Sequence, residues 1–231
     1  MAISIPLRVN REQSFHRVTD FDQKLQGKEF ALLDKNVLLY RDKAGECVLL
    51  TIKNKGTYTA EDYMKLPEGA PYELLNGKLT FMPSPKDPHQ DASGNLFAAL
   101  LYFVKKHKLG IVRHAPLDVH LDETNIVQPD ILFLSNERMD RRKDWIYGAP
   151  DLMVEILSKG TKKKDQKTKL ALYEKHGVLE YWLVDTDNRT VEVHVAKQGK
   201  FTKKALLQEN ELLIAEVVPG FQIPVSDIFS V

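Results

Sequence analysis

The sequence predicts an α/β (α+β) fold whose central part runs α-β-β-β-α-β. A β-meander precedes it and further β segments follow. Three observations carry that prediction. Leu96, Ala99, Leu100, Phe103 and Val104 recur at spacings of three and four, the apolar stripe of an amphipathic helix. Residues 127–134 and 151–158 are apolar, strand-like runs, each interrupted by one carboxylate, Asp130 and Glu155. A helix over 162–176, closed by Gly177, leads after a very short connection into a strand at 180–184. A strand parallel to its predecessor arrives in that way in a βαβ unit.

The elements follow in order. In residues 1–56, Glu29–Leu33 and Val37–Tyr40 are short apolar runs about the turn Asp34-Lys35-Asn36. Lys43-Ala44-Gly45-Glu46 turns into a third strand at 47–52. This extension suits a dimer contact, an edge cover or a substrate-facing arm, and carries nothing catalytic. Residues 57–231 form the main domain. Thr59 is placed to cap a short helix, with Asp62 favouring its positive end, and Pro67 and Gly69 stop it. Asn76-Gly77 between 72–75 and 78–82 is the strongest hairpin signal in the chain. Pro83-Ser84-Pro85 breaks the second strand. The long helix spans 89–108 and ends at Gly110. One strand is expected over 111–121, turning at 122–125 into another at 126–134. Residues 135–148, with Arg138, Arg141, Arg142 and Lys143, read as an exposed loop or short helix. The tail offers β segments at 190–196, 201–207 and 212–217.

Composition narrows the function classes. The chain has 231 residues, 43% of them apolar, enough to bury a core. Its net charge of +1, from 33 basic and 32 acidic residues, gives no overall basic footprint. Binding to nucleic acid would need its basic residues segregated onto one surface. The single cysteine, Cys47, excludes an intrachain disulfide and a Cys-cluster metal site, and fits a reducing compartment. No apolar run approaches the roughly 18 residues of a membrane span, and Met1-Ala2-Ile3-Ser4-Ile5-Pro6 lacks the marks of a signal peptide. The expectation is a cytoplasmic protein with no membrane partner.

Asp130 and Glu155 are the first place to look for chemistry, because an ionised carboxylate in an apolar run is costly unless paired, hydrogen-bonded or metal-bound. Two carboxylates near the ends of adjacent strands suit Mg²⁺, which is held by one or two such groups plus water and phosphate oxygens. Glu73 is a third acid that could complete or orient such a site. The alternative stands beside it. Asp130 follows Pro129 and could mark a strand start, and Glu155 could pair with a buried Lys or Arg.

Six segments occur here in one order: Tyr72-Glu73-Leu74-Leu75-Asn76-Gly77-Lys78; Pro83-Ser84-Pro85 with His89; Val127-Gln128-Pro129-Asp130; Asp151-Leu152-Met153-Val154-Glu155-Ile156-Leu157-Ser158; Asp165 with Lys169 and Tyr173; and Gly177-Val178-Leu179-Glu180-Tyr181-Trp182. Together they resemble the Uma-type family of restriction endonucleases, a branch of the PD-(D/E)XK nuclease superfamily, over about residues 57–231. The resemblance implies a restriction-endonuclease-like core and Mg²⁺-dependent hydrolysis of DNA, with Mn²⁺ as substitute. Asp130 and Glu155 would be metal ligands, and Glu73 a further ligand or orienting group.

The pattern departs at Leu157, where E-x-K requires lysine. Lys169 is the preferred replacement, since Asp165, Lys169 and Tyr173 share a helical face on the helix after the Glu155 strand. Lys78 is the second candidate. A solvated Lys169 paired with Asp165 is the plain alternative. His89, at a helix start, suits a phosphate contact or proton transfer, although a lone turn histidine is more often structural. Lys162, Lys163 and Lys164, with Arg141 and Arg142, could steer a phosphate backbone, as could Arg138. His114, His120 and His194 have no metal-site spacing, and Trp182 reads as core. The expected protein is a DNA endonuclease acting on duplex or branched DNA, and by analogy a homodimer. The rival is a nuclease fold that has lost activity and binds nucleic acid or protein.

Overall fold

A computed structural model describes residues 30–34, 36–41, 47–52, 57–157 and 164–230. By contacts these fall into two compact units, one running up to Pro83 with Asp122–Ile126, the other comprising Ser84–Leu121 and the described residues from Val127 onward.

In the first unit β1 (Phe30–Asp34), β2 (Val37–Arg41) and β3 (Cys47–Thr51) form the expected antiparallel meander. Helix α1 (Ala60–Tyr63) opens on a capping box. Asp62 N–H donates to Thr59 Oγ1, and the Asp62 carboxylate accepts from Thr59 N–H. The hairpin β4 (Tyr72–Leu75) and β5 (Lys78–Phe81) turns at Asn76 and Gly77, both with positive φ as a tight turn demands. A Cβ at Gly77 would meet Thr57 Cγ2 at 2.4 Å. Leu38, Tyr72, Leu74 and Ile126 are central in its core.

The second unit begins with α2 (Asp87–His107), whose buried residues Ala92, Leu96, Leu100 and Val104 form the predicted stripe. The expected strand over 111–121 is two strands, β6 (Gly110–His114) and β7 (Val119–Asp122), divided around Pro116. Its return is likewise divided into β8 (Asn125–Val127), whose first two residues belong to the first unit, and β9 (Ile131–Ser135). Pro129 accounts for the second division, because it has no N–H to give a ladder. Gly110 starts β6 rather than capping α2. The left-handed residue at that helix end is Lys108, and a Cβ on Gly110 would lie 2.1 Å from the Leu134 carbonyl oxygen.

A 3₁₀ turn (Asn136–Arg141) leads to β10 (Ile146–Tyr147) and β11 (Leu152–Leu157). Helix α3 (Lys164–His176) then crosses to β12 (Glu180–Asp185), which pairs parallel to β11, as predicted for a βαβ unit. On α3 the deeply buried residues are Leu172 and Tyr173, with Leu170 only half-buried. β13 (Thr190–Lys197) and β14 (Lys200–Leu207) extend the sheet, giving the order β14-β13-β12-β11-β9-β6. β15 (Leu212–Ile214), β16 (Gln222–Pro224) and α4 (Val225–Ile228) follow.

One face of the six-stranded sheet buries Val112, Ile131, Phe133, Leu152, Val154, Ile156 and Trp182 in a core shared with α2. Because side chains alternate along a strand, Leu132, Met153 and Glu155 belong to the opposite face, and Asp130, just before β9, is tied to the Glu155 strand by the Ile156 N–H. No helix among the described residues is long and apolar enough to cross a membrane.

Candidate active site

Asp130 sits at a bend just before β9, outside the strand proper. Its main-chain carbonyl accepts from Ala115 N–H at 3.1 Å. Its Oδ2 accepts the N–H of Ile156 at 2.7 Å, which ties the bend to β11 beside Glu155. Its Oδ1 lies 3.3 Å from Nε2 of His89, in the first turn of α2. His89 Nδ1 is buried with no hydrogen-bond partner among the described residues. Burial works against the His89 cation. The bond to Asp130 and the charges of Asp130 and Glu155 outweigh it, so the imidazole titrates above its ordinary value.

Glu155 is held from α3. Lys169 Nζ lies 2.8 Å from Oε1 and 2.9 Å from Oε2, and the Tyr173 hydroxyl donates to Oε1 at 2.6 Å. Lys169 and Tyr173 are four residues apart, hence on one helical face. The Tyr173 ring is fully buried and packs edge-on against Tyr181, centroids 5.0 Å apart. The α3 helix therefore delivers a lysine to the strand carboxylate although position 157 is leucine. His89, Asp130, Glu155 and Lys169 have side chains between 12% and 18% exposed, enclosed yet reachable by solvent.

The remaining predicted residues stand on other elements or outside the described residues. Glu73 is buried on β4 opposite Thr80, and Lys78 is exposed at the start of β5; both belong to the first unit. Lys162 and Lys163 lie outside the described residues, as do the side chains of Lys164 and Asp165. Arg141 donates to the Ala149 carbonyl, and Arg142 is exposed. Arg138 is held by main-chain carbonyls and a carboxylate. Its Nη1 donates to the carbonyls of Ala149, Pro150 and Gly177 at 3.0, 3.0 and 3.2 Å, and its Nε lies 3.2 Å from the Asp151 carboxylate.

Sequence reasoning also missed a buried acid. Glu180 is fully buried and accepts from the Trp182 indole at 2.8 Å and from the N–H groups of Glu216 and Val217 at 2.7 and 2.9 Å. Burial drives its carboxyl above the ordinary range, against those three bonds. Trp182 is core, as expected.

Among the described residues no group of three or more His, Cys, Asp and Glu side chains converges as a metal cage. The donor set nevertheless suits a hard divalent cation. Asp130 and Glu155 offer carboxylate oxygens at β11, where the Ile156 N–H holds Asp130, and such an ion takes one or two of these and completes its shell with water and phosphate.

A mixed sheet whose parallel pair is crossed by a helix that lays a lysine and a tyrosine on a strand glutamate, beside a bend aspartate, defines a nuclease-like domain. The crystal structure of a putative nuclease belonging to DUF820 from Anabaena variabilis has this fold, with a TM-score of 0.64 and 23% identity, covering 74% of this chain and 97% of that chain. The Uma2 family, described as putative restriction endonuclease, matches residues 60–226, and the chain belongs to that family. No curated protein matches the chain.

Proposed function

We propose that this protein is a Mg²⁺-dependent DNA endonuclease that hydrolyses phosphodiester bonds at the Asp130–Glu155 pair. The observation that carries this reading is the Lys169 ammonium lying across both oxygens of Glu155, on the strand to which Asp130 is tied. Asp130 and Glu155 would hold Mg²⁺, or Mn²⁺ in its place, which when bound supplies Lewis-acid charge to a phosphodiester oxygen and acidifies water.

The chain's own residues have separable roles. Lys169 supplies the positive charge that E-x-K normally places at position 157, either to position the attacking water or to offset charge developing on the phosphoryl group. His89 Nε2 orients Asp130 and is the ring nitrogen that exchanges a proton or meets a phosphate at the site. Glu73 is retained as the family's upstream acid on the resemblance alone, and Lys78 as the second lysine candidate. Duplex or branched DNA as substrate, a homodimer and a cytoplasmic location belong to the same proposal. Family membership supports the nuclease chemistry.

Purified protein with Mg²⁺ or Mn²⁺ is expected to cleave duplex or branched DNA. Asp130→Ala and Glu155→Ala should each lower the rate by at least about 10²–10³-fold. Cleavage that persists in both variants sinks the site assignment. DNA binding without cleavage by the wild type favours the rival, a nuclease fold that only binds.

A further inference from the structure

Three rings and a cation gather where β10 meets β7. The two strands run parallel, with Ile146 opposite Val119 and Tyr147 opposite His120. Val119 and Ile146 are buried, at 0% and 2% exposure, so alternation turns His120 and Tyr147 to the other side of the pair. The His120 ring stacks on Tyr147, with centroids 4.9 Å apart and 25° between planes, and its centroid lies 5.4 Å from that of Trp145. His120 thus joins the indole and the phenol in one row. The main chain fixes the row in place. Ile146 N–H donates to the Asp118 carbonyl at 3.1 Å, Gly148 N–H to the His120 carbonyl at 2.8 Å, and Lys143 N–H to the Trp145 carbonyl at 2.9 Å.

These rings do not close a core. Tyr147 is 38% exposed, and Trp145 and His120 are only half-buried. Lys143 is exposed and holds its ammonium over the Tyr147 ring, 5.4 Å from the centroid. A cation resting on a ring in water is weakly held, so its long stem is readily displaced. Residues 141–147 carry three basic side chains against Asp144, and of these Arg142 and Lys143 are exposed. Solvent-facing rings interleaved with mobile cations are what an unpaired nucleic-acid strand requires, since its bases stack on the rings and its phosphates meet the charges. The segment is also joined to the candidate site. Asp118, just before β7, accepts from Gln128 Nε2 at 2.8 Å, and Gln128 stands two residues before Asp130.

We propose that Trp145, His120 and Tyr147 form a stacking platform for unpaired bases of a DNA strand, with the Lys143 ammonium moving from the Tyr147 ring to a phosphate as a base arrives. The platform rests on the proposed nuclease reading and narrows it. Of duplex and branched DNA, the branched form presents an unpaired strand and is the substrate. Stacking tolerates any sequence, because every base has a π face.

The platform carries its own reporter. The chain has two tryptophans, and Trp182 is fully buried, so quenching by an added base reads Trp145. The test titrates the protein, in EDTA to prevent cleavage, with oligothymidylate and with an abasic oligomer of equal length and charge, following indole emission and affinity. Oligothymidylate should quench the emission and bind at least about fivefold more tightly than the abasic oligomer, the effect of one stacked base. Trp145→Phe should abolish the quenching. Tyr147→Leu should weaken oligothymidylate binding by about fivefold or more and leave abasic binding unchanged, whereas Tyr147→Phe should keep wild-type affinity. Equal wild-type affinity for the two oligomers, without quenching, overturns the platform, and that comparison needs no variant to fold. Wild type that cleaves branched DNA with Mg²⁺ or Mn²⁺ yet binds the two oligomers alike overturns the platform alone. Wild type that stacks oligothymidylate but cleaves no DNA with either ion overturns the nuclease reading and leaves the platform standing.

Discussion

Glu155 and Glu180 stand on neighbouring parallel strands of one sheet and are stabilised in opposite ways. Glu180 opposes Leu152, a residue of the core shared with α2, whereas Glu155 opposes Leu183 three positions on and faces the other side. Glu180 is fully buried and met by an indole and two main-chain N–H groups, with no cation on it among the described residues. Those donors are fixed by the fold, and burial lifts the acid's pKa, so its charge is suppressed more than used. Glu155 keeps a slightly exposed side chain and is met by an ammonium on a flexible stem and by a phenol. A buried acid answered by rigid dipoles is structural. One answered by a long cation near solvent, with a second carboxylate beside it, can change partners.

The comparison breaks first if Glu180 behaves like a site residue. Glu180→Ala strands three donors, each costing about 1–3 kcal/mol when left unmade. The variant should lose several kcal/mol of stability in chemical denaturation while any protein that remains folded binds Mn²⁺ as before. Glu155→Gln should do the reverse, with little loss of stability and loss of metal binding. Equal stability losses in the two variants contradict the distinction.

Next in size, Lys169→Met should lower DNA cleavage by about 10²-fold, the cost of removing one charge from a reacting site, with near-native thermal unfolding. If Lys78→Met gives the larger loss, the lysine role belongs to the hairpin. Tyr173→Phe keeps the buried ring and removes only the bond to Glu155. Such supporting contacts to metal-ligating groups are worth about 10–100-fold in metal affinity, so a Mn²⁺ titration of this variant should show at least the lower figure.

The smallest effect sharpens the contrast by pH. The Glu180 carboxyl is raised above 4.5. Between that value and its folded-state pKa the native protein therefore binds more protons than the unfolded chain. Its contribution to stability is greatest below that window and is lost as pH rises through it. Glu180→Gln should flatten stability against pH in that range, measured by urea unfolding. An unchanged profile means another group carries the dependence.

The differing legibility of the two glutamates in sequence follows from where their partners lie. Glu155 could be singled out because it interrupts an apolar strand, and Lys169 and Tyr173 share a helix face only a short way downstream. The Asn76-Gly77 hairpin and the Thr59–Asp62 capping box were readable for the same local reason. Glu180 was not, because two of its three donors come from Glu216 and Val217, over thirty residues away, brought in by tertiary packing. Arg138 read as a surface cation because nothing local tells that its fork meets the carbonyls of Ala149, Pro150 and Gly177. The division before β9 was in the sequence as Pro129, yet the apolar run around it read as one strand. Asp130 gains its position from that division, since a bend frees its carboxylate to take the Ile156 N–H.

A calorimetric titration of the purified protein with Mn²⁺ separates the two glutamates, comparing the wild type with Asp130→Asn/Glu155→Gln and with Glu180→Gln. Binding is expected of the wild type and of Glu180→Gln, and none of the double variant. Binding that survives in the double variant, or its absence from the wild type, would contradict a metal site at Asp130 and Glu155.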